Sequence, residues 1–290
     1  MHTLYPELIQ EIVSYLGNDG PSLCSLCRCS KRFLRSCRQA LYRDIVFTDI
    51  GSYGPPFGVR SSTSPALLPT LFTTLLRLNP SLASYVRGFY MAAQSARLCA
   101  KLSETREDVI AGLKHMVNLK ALQIHLREDN SGAAAWKQAI LGCTFQLEYF
   151  CASFDASEMF NVLPSDISHL RELRIRLCTL SDPSYSKVRF PRLERLGGNV
   201  LTVQQILPNC PSVSSLIWDM SIDGATSLVP LSPVLVRGFE NLCRVCIRSS
   251  WCWEIGGLAP FLPHLEILHL VMDFSGIMYA EASPLVLTDE

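Results

Sequence analysis

Apolar positions follow two rules along the chain. As far as Tyr42 they recur at helical spacing, and from Leu119 onward they recur as short alternating lines. The opening stretch LYPELIQEIVSYL, Leu4 to Leu16, sets Leu4, Tyr15, Leu8, Ile12, Tyr5, Leu16, Ile9 and Val13 across about half of a helical cylinder. Glu7, Gln10, Glu11 and Ser14 share the other side. A helix seated on one core needs an apolar stripe of only about 100°, so this helix carries surface for a second contact. Gly17 and Gly20 stop it, and Pro21 suits the first turn of a second helix, SLCSLCRCS, with Leu23, Leu26 and Cys27 on one side. Ser30 caps a third, KRFLRSCRQALY, in which Phe33, Leu34, Cys37 and Leu41 form the apolar face. RDIVFTDI then alternates as a strand, and GSYGPPFGVRSSTSP, Gly51 to Pro65, reads as a connector.

Beyond the connector the chain repeats itself. Lines of the type L-x-x-L-x-L start at Leu119, Leu147, Leu170, Leu193, Val213, Leu242 and Leu265, at intervals of 20 to 29 residues, the range of leucine-rich repeats. LRELRIRLCTL from Leu170 continues furthest along the repeat line, with Cys178 at its N/C position, and SLASYVRGFYM adds a degenerate earlier strand. Between the lines, PALLPTLFTTLLRL, ETREDVIAGLKHM, GAAAWKQAILG and TVQQILPNC read as amphipathic helices, whereas SKVRFPR and the stretch around PLSPVLV read as irregular. A strand with one apolar edge and a helix with one apolar face are buried only by stacking on their neighbours. The expected fold is α/β: a small three-helix unit followed by a solenoid with a curved parallel sheet. The expected boundaries are 1–47 for the helical unit, 48–65 for a first strand and linker, 66–275 for the solenoid and 276–290 for a tail or partial cap.

Composition narrows the function. With 26 basic and 26 acidic residues, no global field favours nucleic acid or anionic lipid. An apolar share of 48% against 18% charged excludes bulk disorder. Every apolar run is broken before about 18 residues, and Glu7 and Glu11 interrupt the only early one, so neither a membrane span nor a signal peptide is expected. The twelve cysteines then read as reduced thiols of a cytoplasmic or nuclear protein.

LYPELIQEIVSYL, LCSLCRCSKRF and LYRDIVF together resemble an F-box, whose usual opening is L-P-x-E-L. Leu4, Glu7 and Leu8 match that opening, Pro6 supplies its proline one place late, and Tyr5 stands where the proline is expected. An F-box followed by degenerate leucine-rich repeats is similar to fungal substrate receptors of SCF-type cullin–RING ubiquitin ligases. The resemblance implies docking on a Skp-type adaptor through Leu4, Pro6, Glu7, Leu8, Ile12, Leu23, Leu26, Cys29 and Phe33. It also implies a protein target on the repeats. The activity would be scaffolding, not catalysis. A repeat scaffold whose head no longer recruits a ligase is the alternative, and the extra surface of the first helix could instead seat the unit on the first repeat.

Strand alternation places the target side. If Leu122 and Ile124 point inward, Gln123 and His125 face the concave side. The same register assigns to it Cys151 and Ser153, Arg174 and Arg176, Gly197 and Asn199, Ile217 and Asp219, Cys246 and Arg248, and His269 and Val271. Three arginines and two histidines against one aspartate predict a mildly basic groove. Either it takes an acidic or phosphorylated segment or its charges only solubilise the sheet. Gln123, His125, Arg174, Arg176, Asn199, Asp219, Arg248 and His269 are the candidate contacts.

Other chemistry finds little support. CSLCRC, Cys24 to Cys29, holds a single C-x-x-C, and helical geometry spreads its thiols and Cys37 over several sides, so no zinc site and no cofactor is expected. CRVC reads as one core thiol, Cys243, and one concave thiol, Cys246. No nucleophile elbow, P-loop or H-E-x-x-H occurs, and Trp251 and Trp253 read either as a partner anchor or as cover for a repeat edge. After LEILHLVM a last strand edge needs a cap. Either the tail folds back with Leu285 to Leu287 as a strand, or the protein pairs there, or the chain continues.

Overall fold

The computed structural model describes residues 5–17, 19–48, 79–93, 106–126, 130–155, 167–176, 189–219, 233–249 and 255–272. Helix α1, Pro6–Leu16, begins where extended Tyr5 hands over to Pro6, whose fixed φ and missing N–H suit the first helical position. It ends at Gly17, whose φ of 55° requires glycine and whose N–H reaches the carbonyls of Val13 and Ser14. Asp19 caps α2, Gly20–Cys29, by accepting from the Ser22 amide at 3.3 Å and the Ser22 hydroxyl at 2.6 Å. Ser30 both ends α2 and caps α3, Lys31–Arg43, accepting from the Arg32 amide at 3.2 Å. The three helices close on a core of their own, in which Val13, Leu23 and Cys37 are buried and Leu16, Leu26, Phe33 and Leu41 pack around them.

Helix α3 passes directly into a nine-stranded sheet. Its strands are β1 (Asp44–Thr48), β2 (Gly88–Ala93), β3 (Ala121–Leu126), β4 (Tyr149–Asp155), β5 (Glu172–Arg176), β6 (Arg195–Gly198), β7 (Ser215–Asp219), β8 (Arg244–Ser249) and β9 (Ile267–Met272). They lie side by side in sequence order, and every neighbouring pair is parallel. Just before each strand from β2 on, a hydrogen bond couples the chain to the preceding turn. The ladder begins at Arg87 N–H to Arg43 C=O, 2.7 Å, and runs to Glu266 N–H on Cys243 C=O, 2.8 Å. It therefore ties the helical head to the sheet through the last residue of α3.

From β1 to β8, one side chain per strand forms the inner row: Ile45, Phe89, Leu122, Phe150, Leu173, Leu196, Leu216 and Val245, in register and all buried. Crossover segments cover this row from the convex side with Leu113, Trp136, Ile140, Val203, Ile206 and Phe239. The expected helices appear over 106–113, Asn130–Leu141 and Val200–Ile206. The segment around PLSPVLV is not irregular but forms the helix Pro233–Phe239. Pro233 opens it, and Leu235 and Phe239, four residues apart, are buried, with Phe239 5.7 Å from the Trp218 ring. At Gly198 an added Cβ would overlap the Ile175 carbonyl and Thr202, so only glycine lets the following helix approach the sheet this closely.

The stretch from Gly51 to Leu78, Cys178, the Trp251–Trp253 pair and residues 273–290 lie outside the described residues. None of the described helices is long and apolar enough to cross a membrane.

Candidate functional site

The two candidate surfaces are the outer side of the head and the concave side of the sheet. On α1 the apolar half-cylinder divides lengthwise. Ile9 and Val13 are buried and Leu16 packs on the head core. The other half stays outside, with Tyr5 70%, Leu8 44%, Ile12 39% and Tyr15 92% exposed. These four span about 80° of the wheel, next to the buried stripe but separate from it. The head's own hydrophobic core thus uses one edge of α1 and leaves the other to water.

The remaining head candidates divide in the same way. Pro6 and Glu7 are exposed at the start of α1, and Cys29 is exposed at the end of α2. Leu26 and Phe33 are half-buried and pack on the head's own core. Leu23, expected at the adaptor surface, is only 1% exposed and offers no area to a partner, because it is the residue of α2 that faces Val13 and Cys37. Leu4 lies outside the described residues. The thiols of Cys24, Cys27, Cys29 and Cys37 are free. No group of three or more metal-ligating side chains is placed to hold an ion among the described residues. Burial pushes the Cys37 thiol up to about 11, helped by neighbouring Cys27.

On the concave side the alternation holds. Leu122 and Ile124 point inward, while Gln123 and His125 lie on the opposite face. The face is more packed than an open sheet surface, since Val46, Tyr90 and Tyr149 form a second buried cluster with Ala121 and Cys151. Gln123 is itself buried, accepting the Tyr149 hydroxyl at 3.2 Å. Burial raises the Tyr149 phenol far out of its ordinary range. Tyr90 is pushed up to about 12 by burial and by the nearby Asp44 carboxylate.

Glu172, 7% exposed, organises the centre of this face. One of its oxygens accepts both Nε (2.7 Å) and Nη2 (2.6 Å) of Arg174, and the other meets Arg195 Nη1 at 3.4 Å. The Arg174 guanidinium also lies 5.9 Å from the Tyr149 ring centroid. Arg174 is therefore engaged by its own chain. His125 is half-buried, and burial together with the Arg248 charge lowers its pKa against the opposing pull of Asp219. Asp219 and Arg248 are half-buried and paired in register between β7 and β8, and Arg248 on β8 acts on His125 on β3 across the curved face. His269 is exposed on β9. Arg176 ends β5 in register with Asp155, and its side chain lies outside the described residues.

Two expectations change. Asn199 is not a concave contact. It is 2% exposed and caps the helix Val200–Ile206, accepting from the Thr202 amide at 3.2 Å and the Thr202 hydroxyl at 2.7 Å. The strand β6 stops one residue before it, so its alternation does not extend to Asn199. Nor is the face simply basic, because Asp44 and Glu172, with Arg195 and Arg244, share the row next to Arg174. All four lie two residues upstream of a position on the same face, so extending the alternation by one step toward each strand start would have found them.

No protein-family model matches the chain, and no curated protein matches it.

Proposed function

We propose that this chain is a substrate-recognition subunit of an SCF-type cullin–RING ubiquitin ligase. The head docks on a Skp-type adaptor through the outer edge of α1, and the concave face of the sheet holds a protein target. The observation that carries the reading is the second apolar stripe, Tyr5, Leu8, Ile12 and Tyr15, left exposed beside the stripe that builds the head core. Removing the exposed remainder of Leu8 and Ile12 from water is worth on the order of 1 kcal/mol each. The ladder through Arg43 supports it further, since a receptor must hold its target at a fixed distance from its docking head. Function then lies in proximity: tethering raises the effective concentration of target lysines near the transfer machinery. An acidic or phosphorylated target on the concave face would compete with Glu172 for Arg174, so recognition there exchanges one carboxylate partner for another.

Co-expression with a Skp-type adaptor tests the reading. The wild-type chain is expected to co-purify with it, and Leu8→Asp with Ile12→Asp to lose it while keeping the wild-type circular dichroism spectrum. Failure of the wild-type chain to retain the adaptor would leave a leucine-rich-repeat interaction scaffold with a non-recruiting head.

A further inference from the structure

Helix α3 carries Lys31, Arg32, Arg35, Arg38 and Arg43 and no acidic residue. Its apolar residues Phe33, Cys37 and Leu41 pack inward. Lys31, Arg32, Arg35 and Arg38 are all exposed on the opposite flank, within about 120° of the wheel. No ion pair engages these four among the described residues. Lys31 and Arg35 are four apart, and Arg35 is three from both Arg32 and Arg38, spacings at which like charges destabilise a helix. The head thus tolerates a repulsive cluster that its fold does not need.

The cluster borders a groove. Between α1 and α3 an open cleft of about 680 Å³ is lined by Tyr5, Ile9 and Gln10 on one side and Arg32, Arg35 and Gln39 on the other. Ile9 is buried, Tyr5 is largely exposed, and the two arginines form a cationic wall. On the α1 wheel, Gln10 lies on the far side of Ile9 from Leu8 and Ile12, so the groove and the exposed apolar stripe lie on neighbouring flanks of the helix that meet at Tyr5.

We infer that the α1–α3 groove binds an acidic segment of a protein partner, whose carboxylates pair with Arg32 and Arg35 while an apolar side chain rests on the exposed ring of Tyr5. Charge complementarity selects the occupant. A membrane surface is disfavoured because the apolar face of α3 is spent on the head core, whereas a membrane-lying helix keeps that face free. Nucleic acid is disfavoured because the cationic strip is short and the whole chain carries 26 acidic residues against 26 basic. Two arginines, each able to take a carboxylate bidentately, fit a short acidic peptide. The inference is separable from the ligase reading: Arg32 and Arg35 lie on α3 and Leu8 and Ile12 do not line the groove, although Tyr5 and Pro6 border both surfaces.

Fluorescence anisotropy on the full chain tests it, with a labelled, end-capped peptide of alternating glutamate and leucine as the probe. The same peptide with glutamine in place of glutamate, a single-stranded RNA and phosphatidylserine vesicles serve as comparisons. The expected result is binding of the acidic peptide that weakens with salt. Arg32→Glu with Arg35→Glu, and the milder Arg32→Gln with Arg35→Gln, should each weaken it by about tenfold or more. Leu8→Asp with Ile12→Asp should leave it unchanged. Equal binding of the glutamine peptide, tighter binding of RNA or vesicles, or indifference to both arginine pairs would overturn the assignment. Because the Leu8/Ile12 variant reports on adaptor docking alone, the two proposals fail separately.

Discussion

The head and the sheet solve the same burial problem on different scales. In the sheet, each inner-row residue is sandwiched between strand neighbours and a convex segment, and from Phe89 to Leu216 that row is at most 1% exposed. Among the described residues the head buries Ile9, Val13, Leu23 and Cys37 and leaves Tyr5, Leu8, Ile12 and Tyr15 in water. A solenoid buries more with each repeat, because every unit serves as its neighbour's cover. A three-helix unit gains no such cover by repetition, and this is where an interaction surface costs the fold least. The last described strand, β9, is less covered. Leu268 and Leu270 occupy inner-row positions on β9, yet are 42% and 50% exposed, whereas Leu122 and Ile124 on β3 are fully buried.

Truncation inside each core breaks the comparison most strongly. Phe150→Ala, in the middle of the inner row, is expected to destabilise the sheet by about 3–5 kcal/mol. Leu23→Ala in the head is expected to cost about 2–4 kcal/mol, but the loss should stay local. The head has its own cluster, so hydrogen exchange should rise across α1 to α3 while the strands from β3 onward keep their protection. Uniform loss of protection in the Leu23 variant would show that the two cores unfold as one.

The central charge cluster of the concave face gives a smaller effect. Removing Glu172 strands Arg174 on a packed surface next to Tyr149. Glu172→Ala should cost about 2 kcal/mol by urea denaturation, and adding Arg174→Met should restore much of it, since the penalty is the unpaired cation. The two changes would be additive if the ion pair contributed nothing.

Periodicity made the strands legible, because a line of L-x-x-L-x-L at intervals of 20 to 29 residues has few other physical solutions than stacking. It also placed Arg174, His125 and Arg248 on the correct face. What it could not supply was which charges are already satisfied. Glu172 reaches Arg174 two residues along one strand and Arg195 on the next, and only the register between strands brings the second contact together. Asn199 shows a second limit: alternation predicts a face only while the chain is a strand, and here a helix cap takes over one residue beyond β6. The helix Pro233–Phe239 was hidden by the prolines at 230 and 233, which read as breakers although the second is a helix start. On the head, the wheel found the apolar excess of α1, but which edge stays outside depends on how α2 and α3 lie against it.

The smallest effect on stability sharpens the comparison furthest. Leu8 and Ile12 hold more than a third of their surface in water, and neither belongs to the buried core of the head. Replacing both with serine removes apolar area that the folded chain does not bury. Both are on α1, where serine has a modestly lower helix propensity than leucine, by a few tenths of a kcal/mol. The pair Leu8→Ser with Ile12→Ser should therefore shift the unfolding free energy by less than about 1 kcal/mol, measured on the isolated chain by urea titration. Ile9→Ser with Val13→Ser, one residue along the same helix, should cost several-fold more, because both side chains are buried and Val13 packs with Leu23 and Cys37. The contrast between the two double variants measures how cleanly α1 divides its apolar surface between its own fold and a partner. Equal losses would mean that the outer stripe also supports the head, and that no edge of α1 is held in reserve.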